Sequence, residues 1–192
     1  MRSFHSQWRG LFLFSLGIAI STTFIMQWLA TDFWLDDRTF SILGLELFYS
    51  KKEVIKVLTE IKQPARIALN YQLVFDFAFM TGIYPAIASS CMLVRENMIN
   101  PVYRNFLFAL AVVQPVAWAF DITENIFLLG WMDKPQIGDE CGMYHNIVTA
   151  KWLIALAGAL GAIAFGLFKP AKRRNSRVKR RNSEQGTRNG KL

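Results

Sequence analysis

Four apolar segments, each near or above the ~20 residues that a helix needs to cross a bilayer, dominate this chain. The third of them, Asn105 to Trp131, carries Asp121, Glu124 and Asn125 near one end. An ionised group at that depth is costly unless it faces another helix, water or a ligand. The other segments are Leu11 to Ala30, Ile67 to Val94 and Ile147 to Phe168. Hydrophobic residues make up 53% of the chain and come in long blocks, not at the short alternating spacings of a soluble core. Backbone groups in lipid must be satisfied within the structure itself, so the choice is between helices and a closed barrel, and the many short alternating strands of a barrel are not seen. The predicted fold is an all-α four-helix transmembrane bundle over residues 1–168, followed by a polybasic tail, 169–192.

The formal net charge of +8 belongs to that tail, which holds ten of the 22 basic residues and only Glu184 of the 14 acidic ones. Residues 1–168 keep 12 basic and 13 acidic side chains, so basicity does not argue for a nucleic-acid partner. The tail has almost no apolar residues and is expected to be disordered, drawn to anionic lipid heads of the inner leaflet. Arg2 and Arg9 before span one, Arg95 and Arg104 around the second connection, and the tail all fall on one side. The positive-inside rule makes that side cytoplasmic, with both termini there, in a multi-pass protein of the cell membrane, the inner one where two exist. The apolar run of span one is longer than the roughly 7–15 residues of a signal peptide core and no small-x-small site follows, so it reads as retained.

The loops after spans one and three, Thr31 to Arg66 and Met132 to Asn146, then lie outside. In the first, Ser50 with Glu53 fits a capping box, and Val54, Ile55, Leu58 and Ile61 fall on one face of a short amphipathic helix that stops before Gln63-Pro64. Phe40 to Phe48 is expected to be extended or a tight turn, because Gly44 interrupts it.

Asp121, Glu124 and Asn125 stand at i, i+3 and i+4 and share one helix face. Antiparallel neighbours bring residues early in span two, late in span three and early in span four to a common level, which adds Asp76 and Lys151. Gln27, Asn146 and Thr149 could complete a polar lining. Pro115 after Gln114, and Pro85 after Tyr84, can kink their helices and open space. Three carboxyls against one ammonium leave an excess of acid, which suits a cation, a proton or a polar ligand group; a paired network that only fixes helix register is the alternative.

Oxygen ligands suit a hard divalent cation, but Lys151 among them argues against one, and no cofactor is expected. Catalysis has less support: no Ser/His/Asp order, HExxH or phosphate loop occurs, which leaves a carboxylate acting on a lipid-derived substrate as the third reading. His145 is expected to be a solvated loop residue. Cys91 and Cys141 fall near opposite faces, too far apart for a disulfide. Trp28, Trp34, Trp131 and Trp152 mark the outer boundary as an aromatic belt. Small residues from Ala157 to Gly166 permit close packing of span four within the chain.

Leu45-Glu46-Leu47, Phe75-Asp76-Phe77 with Tyr84, Asp121-x-x-Glu124-Asn125 and Lys151-Trp152 together resemble an uncharacterised family of bacterial four-span integral membrane proteins. The resemblance covers most of residues 39–156 and implies no activity. It adds Glu46 and Tyr84 to the polar set, and nothing in the spacing of Glu46 alone singles that residue out.

Overall fold

A computed structural model describes residues 2–35 and 38–167; Asp36, Asp37 and the tail, with the disorder expected of it, lie outside the described residues. Among the described residues, four helices are long and apolar enough to cross a membrane: α1 (Arg2–Leu29), α3 (Gln63–Asn97), α4 (Pro101–Asp133) and α5 (Glu140–Leu167). At about 1.5 Å per residue, the 28 residues of α1 or α5 reach ~42 Å, more than the hydrocarbon core requires. Their outward faces are apolar, with Phe24 72% and Leu153 64% exposed, as a lipid-facing surface should be.

The helix α3 is central. It packs against α1, α4 and α5, while α4 also meets α5, and α1 docks principally on α3. Close approach depends on Gly82: a Cβ there would lie 2.6 Å from the Ala19 backbone nitrogen and 2.8 Å from the Ser15 carbonyl of α1. Gly158 likewise has the Gln114 and Ile87 side chains where a Cβ would stand, so the small-residue face of α5 is used inside the chain. Both internal prolines, Pro85 and Pro115, lie within continuous helices.

The first loop is structured. The chain turns through a single 3₁₀ turn (Ala30–Asp32) into a two-residue antiparallel hairpin, β1 (Trp34–Leu35) and β2 (Arg38–Thr39), which the sequence did not suggest. Phe33 and Phe40 stack across its base with ring centroids 4.8 Å apart. Gly44–Phe48 then forms a π-helical turn, closed by Tyr49 N–H donating to Gly44 O at 2.7 Å, and this corrects the extended expectation. Bare Gly44 leaves room for the Tyr49 ring, and the wide turn buries Leu45 and Glu46 in succession.

The short helix α2 (Lys51–Glu60) begins with the expected capping box. The Ser50 backbone N–H and hydroxyl donate to Glu53 Oε2 at 2.7 and 2.8 Å, which holds the Glu53 carboxyl below its ordinary range. Its Val54, Val57 and Leu58 are buried in the core at this end of the bundle, beside Leu69, Leu128, Trp131 and Tyr144. Rather than merely stopping α2, Pro64 sits in the first turn of α3, where its missing N–H costs no helical bond.

Helix α5 starts at Glu140, seven residues before the apolar block, so most of the second loop is helical. Cys141 and His145 therefore lie in its first turns, and His145 is half-buried, its Nδ1 2.8 Å from Cys141 O. Both cysteines are free, with Cys91 buried and its Sγ 3.4 Å from Gly158 O. The belt expectation fits exposed Trp28 and Trp34 only. Trp131 is buried, its ring centroid 4.9 Å from that of Tyr144, and Trp152 turns inward.

Candidate functional site

Lys151 lies 11 residues into α5, about 16 Å from its first turn, and there its ammonium is the hub of the polar cluster. Nζ donates to Asp121 Oδ1 at 2.7 Å and Glu46 Oε2 at 3.4 Å, and is in direct contact with Glu124 Oε2. Asp121 and Glu124 are one turn apart on α4, and Glu46 arrives from the π-helical turn. Tyr84 on α3 donates its hydroxyl to the second oxygen of Asp121 at 2.8 Å. Trp152 Nε1 donates to Glu46 Oε2 at 3.2 Å, with the Lys151 ammonium 5.6 Å from its ring centroid. Asn125 Nδ2 donates to Asp76 Oδ2 at 2.8 Å and to Leu73 O at 3.4 Å, tying α4 to α3.

Of the seven sequence-derived residues, Glu46, Tyr84, Asp121, Glu124 and Lys151 form one bonded group, while Asp76 and Asn125 form a second pair whose Asp76 shares the cleft wall with the first. The supplementary polar residues join neither: Gln27, Asn146 and Thr149 are exposed. The inward face of α5 is set by Tyr144, Val148 and Lys151, buried at spacings of four and three, and Asn146 and Thr149 lie off that stripe. Gln114 is buried deeper, its Nε2 bonded to Leu110 O and Ile154 O at 3.0 and 3.3 Å.

Three carboxyls surround one ammonium, and a fourth, Asp76, stands on the same cleft wall. Glu124 is fully enclosed, and its Oε1 finds no partner among the described residues. The Glu46 carboxyl is raised above its ordinary value, chiefly by burial; Lys151 opposes this and Asp121 adds to it. Asp76 differs from the rest, being only half-buried. It stands, with Glu46, Tyr84, Asp121 and Lys151, on the wall of a cleft of about 320 Å³. Among the described residues, no set of three or more His, Cys, Asp or Glu side chains is arranged to hold a metal ion, and the centre of the cluster is filled by the Lys151 ammonium.

Trp152 is the member that sequence reasoning missed, because a tryptophan near a span end reads as an anchor. The signal for it was adjacency to Lys151. Fold and cluster together define a multi-pass α-helical membrane protein with a polar core. Neither family models, nor curated proteins, nor solved structures provide a match to the chain, so the resemblance carried by its short motifs supplies no functional argument.

Proposed function

We propose that the protein binds a small cationic group, or protons, at its intramembrane acidic cluster, and does so without catalysis. The observation that carries this reading is the excess of acid: four carboxyls against one ammonium, with Asp76 half-open on a cleft. A cluster serving only to fix helix register has no use for a carboxylate left open. Its setting is the cell membrane, with the Arg2, Arg9, Arg95 and Arg104 side and the polybasic tail in the cytoplasm. There the tail is attracted to anionic lipid heads at about 1 kcal/mol per nearby basic residue.

The second reading, an accessory subunit whose cluster only packs helices, draws on one fact: the Lys151 ammonium is fully taken up by Asp121, Glu46 and Glu124. Trp152 separates the two, since its indole bonds to Glu46 and reports on charge entering the cluster. Tryptophan emission of the purified protein should change saturably with ethylammonium chloride and not with sodium chloride at equal ionic strength. The change should vanish in Asp76→Asn and in Trp152→Phe. Identical responses to the two salts would leave the accessory reading standing.

A further inference from the structure

The cleft beside the cluster has two unlike halves. At one end are the carboxylates; beyond them its wall is Phe79, Ile83 and Ile87 of α3 with Ala155, Leu156 and Ala159 of α5. Phe79, Ile83 and Ile87 recur at four-residue steps, and Ala155 and Leu156 lie four and three residues before Ala159, so each helix contributes one apolar stripe. From Asp76 to Ile87 the stripe on α3 runs eleven residues, about 16 Å. The cleft is not sealed by protein, because Leu156 and, at the loop end, Leu43 are 48% and 44% exposed. In a bilayer the Leu156 opening faces acyl chains. Its volume falls at the lower end of the ~300–1,000 Å³ usual for small-molecule sites.

The hydrogen-bond inventory decides which head group fits. An ammonium has three donors, and Lys151 donates to Asp121 and Glu46 and lies in ion contact with Glu124. The Tyr84 hydroxyl goes to Asp121, the Trp152 indole N–H to Glu46, and the Asn125 amide to Asp76 and Leu73 O. The donors facing the cleft are committed while acceptors remain, because Asp76 uses Oδ2 on Asn125 and leaves Oδ1 for a ligand. A head bearing only phosphate or carboxylate would meet negative charge and no free donor among the described residues; a primary ammonium would meet the complementary charge and an open acceptor.

We propose that the cleft takes an amphiphile with a primary ammonium head, held at Asp76, and an apolar chain lying along the Phe79–Ile87 stripe, entering sideways from the bilayer. This rests on the cation-binding reading above and adds the chain to it. The natural source is either a free long-chain amine or an amine-bearing bilayer lipid.

Thermal unfolding of the full chain in a nonionic maltoside detergent, with dodecylammonium, ethylammonium or dodecanoate added, tests it. Dodecylammonium should stabilise saturably, at roughly tenfold or more lower concentration than ethylammonium, because the chain concentrates it in the micelle beside the cleft and fills the stripe. Dodecanoate should not stabilise. Asp76→Asn should abolish both amine responses. Ala159→Phe, which fills the stripe, should shrink the advantage of dodecylammonium to what micelle partitioning alone supplies and keep the ethylammonium response; Leu156→Trp, at an exposed position, serves if Ala159→Phe fails to fold. Equal stabilisation by dodecanoate overturns the ammonium head. An unchanged advantage in a folded stripe-filling variant overturns the chain site and leaves cation binding intact, whereas no response to either amine removes both. Lipid extracted from the purified protein then tells the sources apart: retained phosphatidylethanolamine points to the bilayer lipid, and dodecylammonium binding without it to a free amine.

Discussion

Lys151→Met should be the most damaging single substitution in the bundle, costing about 3–5 kcal/mol, because it strands buried carboxylates that pair with no other cation among the described residues. Glu46, Asp121 and Glu124 all lean on the same ammonium, and Glu124 is fully enclosed, its Oε1 without a partner among the described residues. Thermal unfolding in detergent should show the loss as a lower midpoint. Adding Glu124→Gln to Lys151→Met should recover part of it, since the stranded group is then neutral, and the recovery makes the two effects non-additive. A Lys151→Met protein within about 0.5 kcal/mol of the parent would mean that the cluster is hydrated and loosely held.

The second large effect is steric. Gly82→Ala puts a Cβ 2.6 Å from the Ala19 backbone nitrogen and 2.8 Å from the Ser15 carbonyl, and neither is the end of a flexible side chain that can swing aside. Helix α1 must move off α3, the helix on which it principally docks, at an expected cost of about 1–3 kcal/mol. Gly130 is the internal control: nothing lies within 4 Å of a Cβ added there. Gly130→Ala should therefore be neutral or stabilising by up to about 1 kcal/mol, through helix propensity alone. Equal effects of the two substitutions on the unfolding midpoint would contradict the close α1–α3 contact.

Much of this was legible in the sequence because bilayer thickness dictates block length and the helical repeat dictates phase. Asp121, Glu124 and Asn125 at i, i+3 and i+4 had to share a face, and antiparallel spans had to bring Asp76 and Lys151 to meet it. What failed were inferences from polarity without phase. Gln27, Asn146 and Thr149 are polar and lie near the right level, yet their helix faces are exposed. Helix ends were also underestimated, since α5 begins seven residues ahead of its apolar block; hydropathy marks the lipid-embedded stretch, not where hydrogen bonding starts. Glu46 was legible only through the motif resemblance. Its inward aim comes from a π-helical turn built around Gly44 and Tyr49, and no simple periodicity encodes that turn.

Side chains from a loop turn and from α4 converge on a single ammonium of α5. Glu46 and Lys151 are 105 positions apart in sequence and 3.4 Å apart in space, which makes them the most exacting pair to examine. A double-mutant cycle combining Glu46→Gln with Lys151→Met, read by unfolding free energy in detergent, should give a coupling of about 0.5–3 kcal/mol. Additivity within about 0.3 kcal/mol would place the two residues in separate environments and contradict the assembled cluster.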